Sequence, residues 1–396
     1  MEKMQKVKTA VVGCGMISTI YIKNLVNMFS IIDLVALCDL NAEAAKEKAK
    51  QYGVPNVMTL EEVLASEEIE LVVNLTAPFA HYDVIKQALN ASKHVFTEKM
   101  LCTDLEQGKE LVGLAEEKGL YLGVAPDVIL CAGMQTMRKL MDAGMIGKVT
   151  SVLISLNRNQ PLNSEKYSFI RKEGGAFPYD VGVYSIAGML SLLGPVKRLT
   201  GIGKPSPAHK SRCICNGTYG EEWELCGNNL VAASVEFESG VVGSIHFNGE
   251  SINDNQKIFM VYGTEGILCL SDPATFGSTV KLIRVGEGEC EIPLTHGYKG
   301  CPLYGEPTPF DWGGNRGVGA AELAWSLRLG KRPNRVGKEL GLHTMEVLCG
   351  IDISCETGKV YEMTTTFDLP RPLPSGYLEQ EQNGMFRTDS EMSLVL

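Results

Sequence analysis

Residues 8–18, KTAVVGCGMIS, constrain the fold more than any other stretch. A short apolar run ends in Gly-x-Gly and passes directly into helical periodicity, the signature of a strand, a tight turn and a helix. The same grammar then repeats. Residues 32–40 read as a strand, 42–53 as an Ala-rich helix closed by glycine, 70–78 as a strand and 81–92 as a helix. Residues 93–100 follow as a strand running into a loop, 104–119 as a helix and 120–126 as a short strand. Strands alternating with helices predict a parallel sheet covered on both faces and joined by right-handed crossovers.

The grammar changes near residue 147. Segments 148–158, 228–240, 241–251, 255–266, 267–272 and 279–294 read as strands with short connections, with SGVVGS (239–244) as a hairpin turn. Helical segments interrupt them at 130–145, 180–193, 316–330 and 338–358. The predicted fold class is an α/β Rossmann domain (1–127) followed by an α+β domain (128–371) with a large, mostly antiparallel open sheet. A Pro- and Gly-rich tail (372–396) is expected to lie over the surface or on a neighbouring subunit.

Composition removes several function classes. The formal net charge is −10 with no Lys/Arg cluster, which argues against a nucleic-acid partner. No apolar run approaches the roughly 18 residues a membrane span needs. The opening MEKMQKVKTAVVGCG lacks a secretory pattern, so a cytoplasmic location is expected. The 12 cysteines are scattered through apparent strands and helices, as buried free thiols would be. Cys213-x-Cys215 with Cys226 gives only three close thiols at an unusual spacing, so no metal is expected.

GCGMIS (13–18) supplies a dinucleotide fingerprint in the required context. Gly13 allows the tight turn, Gly15 lets the backbone approach a pyrophosphate, and Met16 and Ile17 open the helix whose N-terminus favours negative charge. Ser18 stands where a third glycine is usual, and is still small enough for close helix–strand packing. Asp39 ends the second strand 24 residues after Gly15, near the expected offset of about 20. Its carboxylate can accept from ribose hydroxyls and would repel a 2′-phosphate. Leu40 and Asn41 offer no cation to hold one, so NAD is expected as the cofactor.

Taken in order, the stretches GCGMIS, NLTAPFAH, HVFTEKM, MIGKV, GGAFPYDVGVY, NRGVGAAELAWSLRLGKRPN and GLHTMEVLCGI give the chain a clear likeness. It resembles the Gfo/Idh/MocA oxidoreductases, the family of glucose–fructose oxidoreductase and inositol dehydrogenase, over nearly its whole length. The resemblance implies the two-domain fold above, with the open sheet face packing on another subunit and hence a homo-oligomer. It further implies that Thr76, Pro78 and His81 match a T-P-x-x-x-H loop along the cofactor, although His81 could equally be structural. Glu98 and Lys99 match the family's E-K-P, with Met100 in place of proline and Lys99 between nicotinamide and substrate. Asp180 and Tyr184 match D-x-G-x-H, with Gly182 in place and tyrosine where histidine is commonest. Asp127, in an A-P-D variant of the junction, becomes a candidate substrate ligand.

Asp180 and Tyr184 stand four residues apart and share a face if the segment is helical. Asp180 as an N-cap and Tyr184 as core is the plainer alternative. Oxidising a secondary alcohol needs hydride to leave carbon while a base takes the hydroxyl proton. Lys99 would stabilise the developing alkoxide, Tyr184 beside an ammonium would serve as acid/base, and Asp180 would orient Lys99 and substrate or be the base itself. Asn157, Arg158 and Asn159 close the first strand of the second domain and are candidates for binding sugar hydroxyls. Arg158 could instead hold a carboxylate or a structural ion pair. His296, Tyr298 and Trp312 could cover the pocket or anchor loops, and His343 reads as a satisfied core histidine. The expected function is an NAD-dependent dehydrogenase of a sugar, polyol or glycoside. The alternatives are an internal-redox enzyme that retains its nucleotide, and a non-enzymatic sugar or nucleotide sensor.

Overall fold

The computed structural model describes residues 4–210, 219–252, 256–300, 314–330 and 334–375. Strand β1 (Val7–Val12) is buried along nearly its whole length, as an apolar run must be when helices cover both faces of its sheet. The chain continues through α1 (Ser18–Asn27), β2 (Ile32–Cys38), α2 (Ala42–Tyr52), β3 (Asn56–Val57), α3 (Leu60–Ala65) and β4 (Leu71–Asn74). Then come α4 (His81–Asn90), β5 (His94–Thr97), α5 (Leu105–Glu117) and β6 (Leu122–Val124). All pairings in this sheet are parallel, in the order β3-β2-β1-β4-β5-β6. Strand order reverses between β1 and β4, so a crevice opens beyond their carboxyl ends.

The expected strand over 70–78 stops at Asn74. The Asn74 side-chain oxygen accepts from the Thr76 backbone N–H and hydroxyl, turning the chain out of the sheet into a 3₁₀ turn at Pro78–Ala80. Helix α3 is an addition, opened by a reciprocal capping box between Thr59 and Glu62.

After a 3₁₀ turn at Asp127–Leu130 the second half comprises α6 (Ala132–Asp142), β7 (Val149–Asn157), α7 (Gln160–Lys166), α8 (Val183–Leu193) and β8 (Val196–Pro205). Next are the short ribbon of β9 (His209–Lys210) and β10 (Glu222–Trp223), then β11 (Asn228–Phe237), β12 (Val242–Asn248), β13 (Lys257–Gly263) and β14 (Gly266–Leu270). The chain closes with β15 (Val280–Arg284), β16 (Gly288–Ile292), α9 (Val318–Leu329), α10 (Lys338–Thr357) and β17 (Tyr361–Glu362).

Nine strands form one sheet in the order β16-β15-β14-β13-β7-β12-β11-β8-β17. Its pairings are antiparallel except for β7 with β12, which run parallel. The expected hairpin turn at 239–244 joins β11 to β12. Residues 279–294 make two strands rather than one, because the chain reverses between Arg284 and Gly288.

Helices α9 and α10 lean on both halves. Val124 donates to the Val336 carbonyl at 2.8 Å, so the chain after residue 316 returns to the edge of the first sheet. The described start of the tail is pinned down. The Leu373 N–H donates to Gln135 at 2.7 Å, and Leu373 is 2% exposed. No helix among the described residues is long and apolar enough to cross a membrane.

Candidate active site

The turn after β1 is built as a dinucleotide cradle. Gly13 has φ of +99°, and a Cβ there would stand 2.6 Å from the Leu75 carbonyl carbon, so only glycine fits. Above Gly15 nothing lies within 4 Å of a Cβ position, leaving open ground for another group's close approach. Asp39 accepts from the backbone N–H groups of Cys14 (2.6 Å) and Asn41 (2.7 Å), which aims its carboxylate at this turn. Met16 is exposed and Ile17 half-buried beside it. These features fit a dinucleotide.

Lys48 completes the turn, and sequence reasoning missed it. Its ammonium donates to the Gly15 carbonyl (3.0 Å), Ser18 Oγ (2.8 Å) and Thr19 Oγ1 (2.7 Å), satisfying all three donors and holding the fingerprint's first turn. In sequence it is one of several lysines on a charged helix, and nothing marks it out.

Along the crevice, Thr76 and Pro78 sit half-buried in the loop after β4. His81 is fully buried, with Nε2 facing the Thr76 carbonyl and Nδ1 the Met100 carbonyl. Burial holds its pKa below the ordinary range despite those carbonyls. A neutral ring donates to one of these two carbonyls, and it lies between the loop after β4 and the Lys99–Met100 loop. Met100 occupies the family's proline position with 4% exposure, and the peptide preceding it is cis.

Lys99, Asp180 and Tyr184 come together. Asp180 lies inside a single π turn, Pro178–Gly182, that runs into α8, and its carboxylate caps no backbone N–H. Gly182 permits this close seat, because a Cβ there would meet the Phe247 ring at 2.7 Å. Lys99 Nζ donates to the Asp180 carbonyl (2.7 Å) and to Oδ1 (3.1 Å), and both side chains are nearly buried. The other carboxylate oxygen accepts from Gln160 Nε2 at 3.1 Å and lies 3.4 Å from Arg158 Nη1. Lys99 Nζ also stands 5.4 Å from the centre of the Tyr184 ring.

Charge follows from this geometry. Burial works against the Lys99 cation, but Asp180, Tyr184 and Glu98 outweigh it and raise its pKa. Burial would likewise neutralise Asp180, yet Lys99, Arg158 and the Gln160 amide hold its carboxyl below the usual range. The pair is therefore an ammonium and a carboxylate at neutral pH.

Two further residues support the cluster. Gln160 is fully buried between Asp180 and the Gly175 carbonyl, one position beyond the Asn157–Asn159 run. Arg316, 1% exposed, donates to the Tyr184 hydroxyl at 3.1 Å. Neither was anticipated. Arg316 falls within a stretch that carries the family likeness, but no spacing rule pairs it with Tyr184.

Other candidates are placed elsewhere. Asp127, read as a substrate ligand, is fully buried with its carboxylate accepting from the Gly317 and Gly319 N–H groups at 2.7 and 3.2 Å. Burial pushes its pKa up to about 6 against the pull of Arg316. Asn159 caps α7 through the Leu162 N–H at 3.0 Å, and Asn157 faces Gln256. Of that trio, Arg158 alone reaches Asp180. Glu98 is buried, accepting from the Tyr21 hydroxyl (2.6 Å) and the Lys99 N–H (3.1 Å).

His296 faces the Leu373 carbonyl at 2.9 Å and Tyr298 is 1% exposed, so both are anchors within the core. His343 accepts from the Val196 N–H at 3.0 Å and meets Thr365 on its other nitrogen, as a satisfied core histidine does. Trp312, Cys213 and Cys215 lie outside the described residues.

Comparison with known proteins agrees with this two-part fold. Residues 7–125 match the model of an oxidoreductase family with an NAD-binding Rossmann fold, and residues 134–269 match the GFO/IDH/MocA C-terminal domain. An uncharacterized oxidoreductase of Schizosaccharomyces pombe is 32% identical over 204 residues, covering 50% of this chain and 54% of its own. The scyllo-inositol 2-dehydrogenase (NADP(+)) of Bacillus subtilis is 28% identical over 201 residues, 50% of this chain and 55% of its own. The chain thus spans about half the length of these curated relatives. Among solved structures, levoglucosan dehydrogenase in complex with NADH and L-sorbose superposes with a TM-score of 0.77 at 16% identity, covering 91% of this chain and 99% of that one.

Proposed function

The chain belongs to the Gfo/Idh/MocA oxidoreductase family, and from this we propose that it is an NAD-dependent dehydrogenase oxidising a secondary hydroxyl of a sugar, polyol or glycoside. The observation that carries the reading is the buried Lys99–Asp180 ion pair against Tyr184, at the mouth of the first sheet. When bound, the nicotinamide supplies the hydride acceptor. Gly13, Gly15, Met16, Ile17, Thr76 and Pro78 would line the dinucleotide.

The chain's own residues handle the proton. Lys99, held as a cation, donates to the substrate hydroxyl and stabilises the alkoxide as it forms. Asp180 fixes the direction of the ammonium through two contacts. A carboxylate already held by Lys99, Arg158 and Gln160 is a weak proton acceptor, so the acid/base role falls to Tyr184. Relatives bearing names of inositol and sugar dehydrogenases support the substrate class. The Asp39 carboxylate, followed by Leu40 and Asn41, supports NAD over NADP. We place the enzyme in the cytoplasm as a homo-oligomer through the open face of the nine-stranded sheet.

The test is NADH fluorescence on mixing protein and NAD⁺ with a panel of free sugars, inositols and glucosides. Steady production with one class supports the reading. No steady signal, with nucleotide released on denaturation, would move the assignment to internal redox. No nucleotide either would leave a sensor.

A further inference from the structure

We propose that Arg316 is a positioning residue for Tyr184, fixing where the phenolic proton points and holding the charge left when it departs. The inference rests on the acid/base reading of Tyr184 and adds the group through which that tyrosine is set.

Arg316 comes from the loop before α9, 132 residues after Tyr184, and is 1% exposed. Its Nη2 donates to the Tyr184 hydroxyl at 3.1 Å, and its guanidinium carbon stands 5.1 Å from the ring centre. A guanidinium has donors and no acceptor, so the tyrosine oxygen must accept. The phenolic proton is thereby turned away from Arg316. Lys99, an ammonium on the same ring, cannot accept that proton either, which leaves it for a ligand.

Two carboxylates frame the cation. Its Nη1 lies 3.7 Å from Glu98 Oε1 and 3.8 Å from Asp127 Oδ1, both beyond hydrogen-bond distance. Each carboxylate is fixed in turn, Glu98 by the Tyr21 hydroxyl and Asp127 by the N–H groups at the start of α9. Burying such a set is costly, and apolar side chains of similar volume would often be no less stable. The arrangement gains a purpose if the tyrosine oxygen changes charge. As the proton passes between substrate hydroxyl and Tyr184, the phenol oxygen alternates between O–H and O⁻, and Arg316 is already placed to stabilise the anion.

The test compares wild type, Arg316→Met, Arg316→Lys, Tyr184→Phe and Arg316→Met/Tyr184→Phe as full-length chains, on the substrate that the panel identifies. Arg316→Met should lose about 10²–10³-fold in kcat with KM within about 3-fold of wild type. Arg316→Lys should recover part of that loss but remain about 10-fold slow, because an ammonium lacks the planar fork. The double variant should be no slower than Tyr184→Phe, since the two act as one unit. Wild-type kcat in either Arg316 variant, or losses that multiply in the double variant, would overturn the proposal. If Arg316→Met does not fold, the lysine variant decides alone on its kcat. A wild type that oxidises nothing removes the acid/base reading itself, which is a separate failure.

Discussion

Lys99 and Asp180 place opposite charges 3.1 Å apart where water scarcely reaches them, so removing either leaves its partner uncompensated. Lys99→Met should lower kcat by at least about 10²-fold while NAD⁺ binding, followed by protein fluorescence, stays intact. Loss of binding with unchanged kcat would contradict its catalytic role. Asp39→Ala should raise kcat/KM for NADP⁺ relative to NAD⁺, because it removes the charge that repels a 2′-phosphate; an unchanged ratio would remove Asp39 as the discriminator. Lys99, Asp180 and Tyr184 were legible in the sequence because each sits in a short motif. Gln160, Arg316 and Lys48 were not, since their roles arise from side chains brought together across many residues. Asp127 was legible as a residue but not in its direction, which burial against α9 decides.

Among the elements, α10 carries the clearest pH signature. His343 sits fully buried where α10 meets the start of β8 and the chain around Thr365. Burial pushes its pKa down to about 4, against an ordinary value near 6.5. Between those values the unfolded chain binds a proton that the folded chain does not, so stability rises with pH across that window. Full stability is present above about pH 6.5 and is lost as pH falls toward 4. At pH 5 the loss from this residue should be about 2 kcal/mol. Denaturant unfolding at pH 8 and pH 5 should show it, and His343→Gln should shrink the difference, leaving the share of other buried histidines such as His81; an equal drop in the variant would assign the effect elsewhere.

Elements with a plain local signal were legible in the sequence: β1 as an apolar run ended by glycines, α2 as an Ala-rich helix closed by Gly53, and β11 as a strand with short connections. Strand β8 was not, because its Lys, Arg and Thr residues and Ile202 face solvent while small glycines take the half-buried positions against α10, leaving no apolar alternation to read. The π turn holding Asp180 was invisible too, since its spacing is that of an ordinary helix start.

At the level of the molecule, the dinucleotide cradle belongs to the first half while Asp180 and Tyr184 come from the second and meet Lys99 across the junction, so cofactor binding should separate from turnover when Asp180 alone is changed. NAD⁺ at 100 times its dissociation constant should stabilise the folded chain by about 2.7 kcal/mol. The unfolding midpoint should rise equally in wild type and Asp180→Asn, although turnover is lost in the variant. A rise in neither would remove the cofactor assignment.

The parallel pairing of β7 has a consequence in time. Strand β7 leads directly into Arg158 and Gln160, yet its two neighbours, β12 and β13, lie at residues 242–248 and 257–263. Contacts so distant in sequence form slowly, because the intervening chain must be closed before they stabilise anything. The longest pairing in the first sheet, β1 with β4, joins Thr9 to Leu71, a shorter closure than Ser151 to Val242 in the second, so its delay is smaller. During refolding or synthesis the nucleotide cradle should mature first, and the walls around Asp180 only after roughly a hundred further residues have found their places.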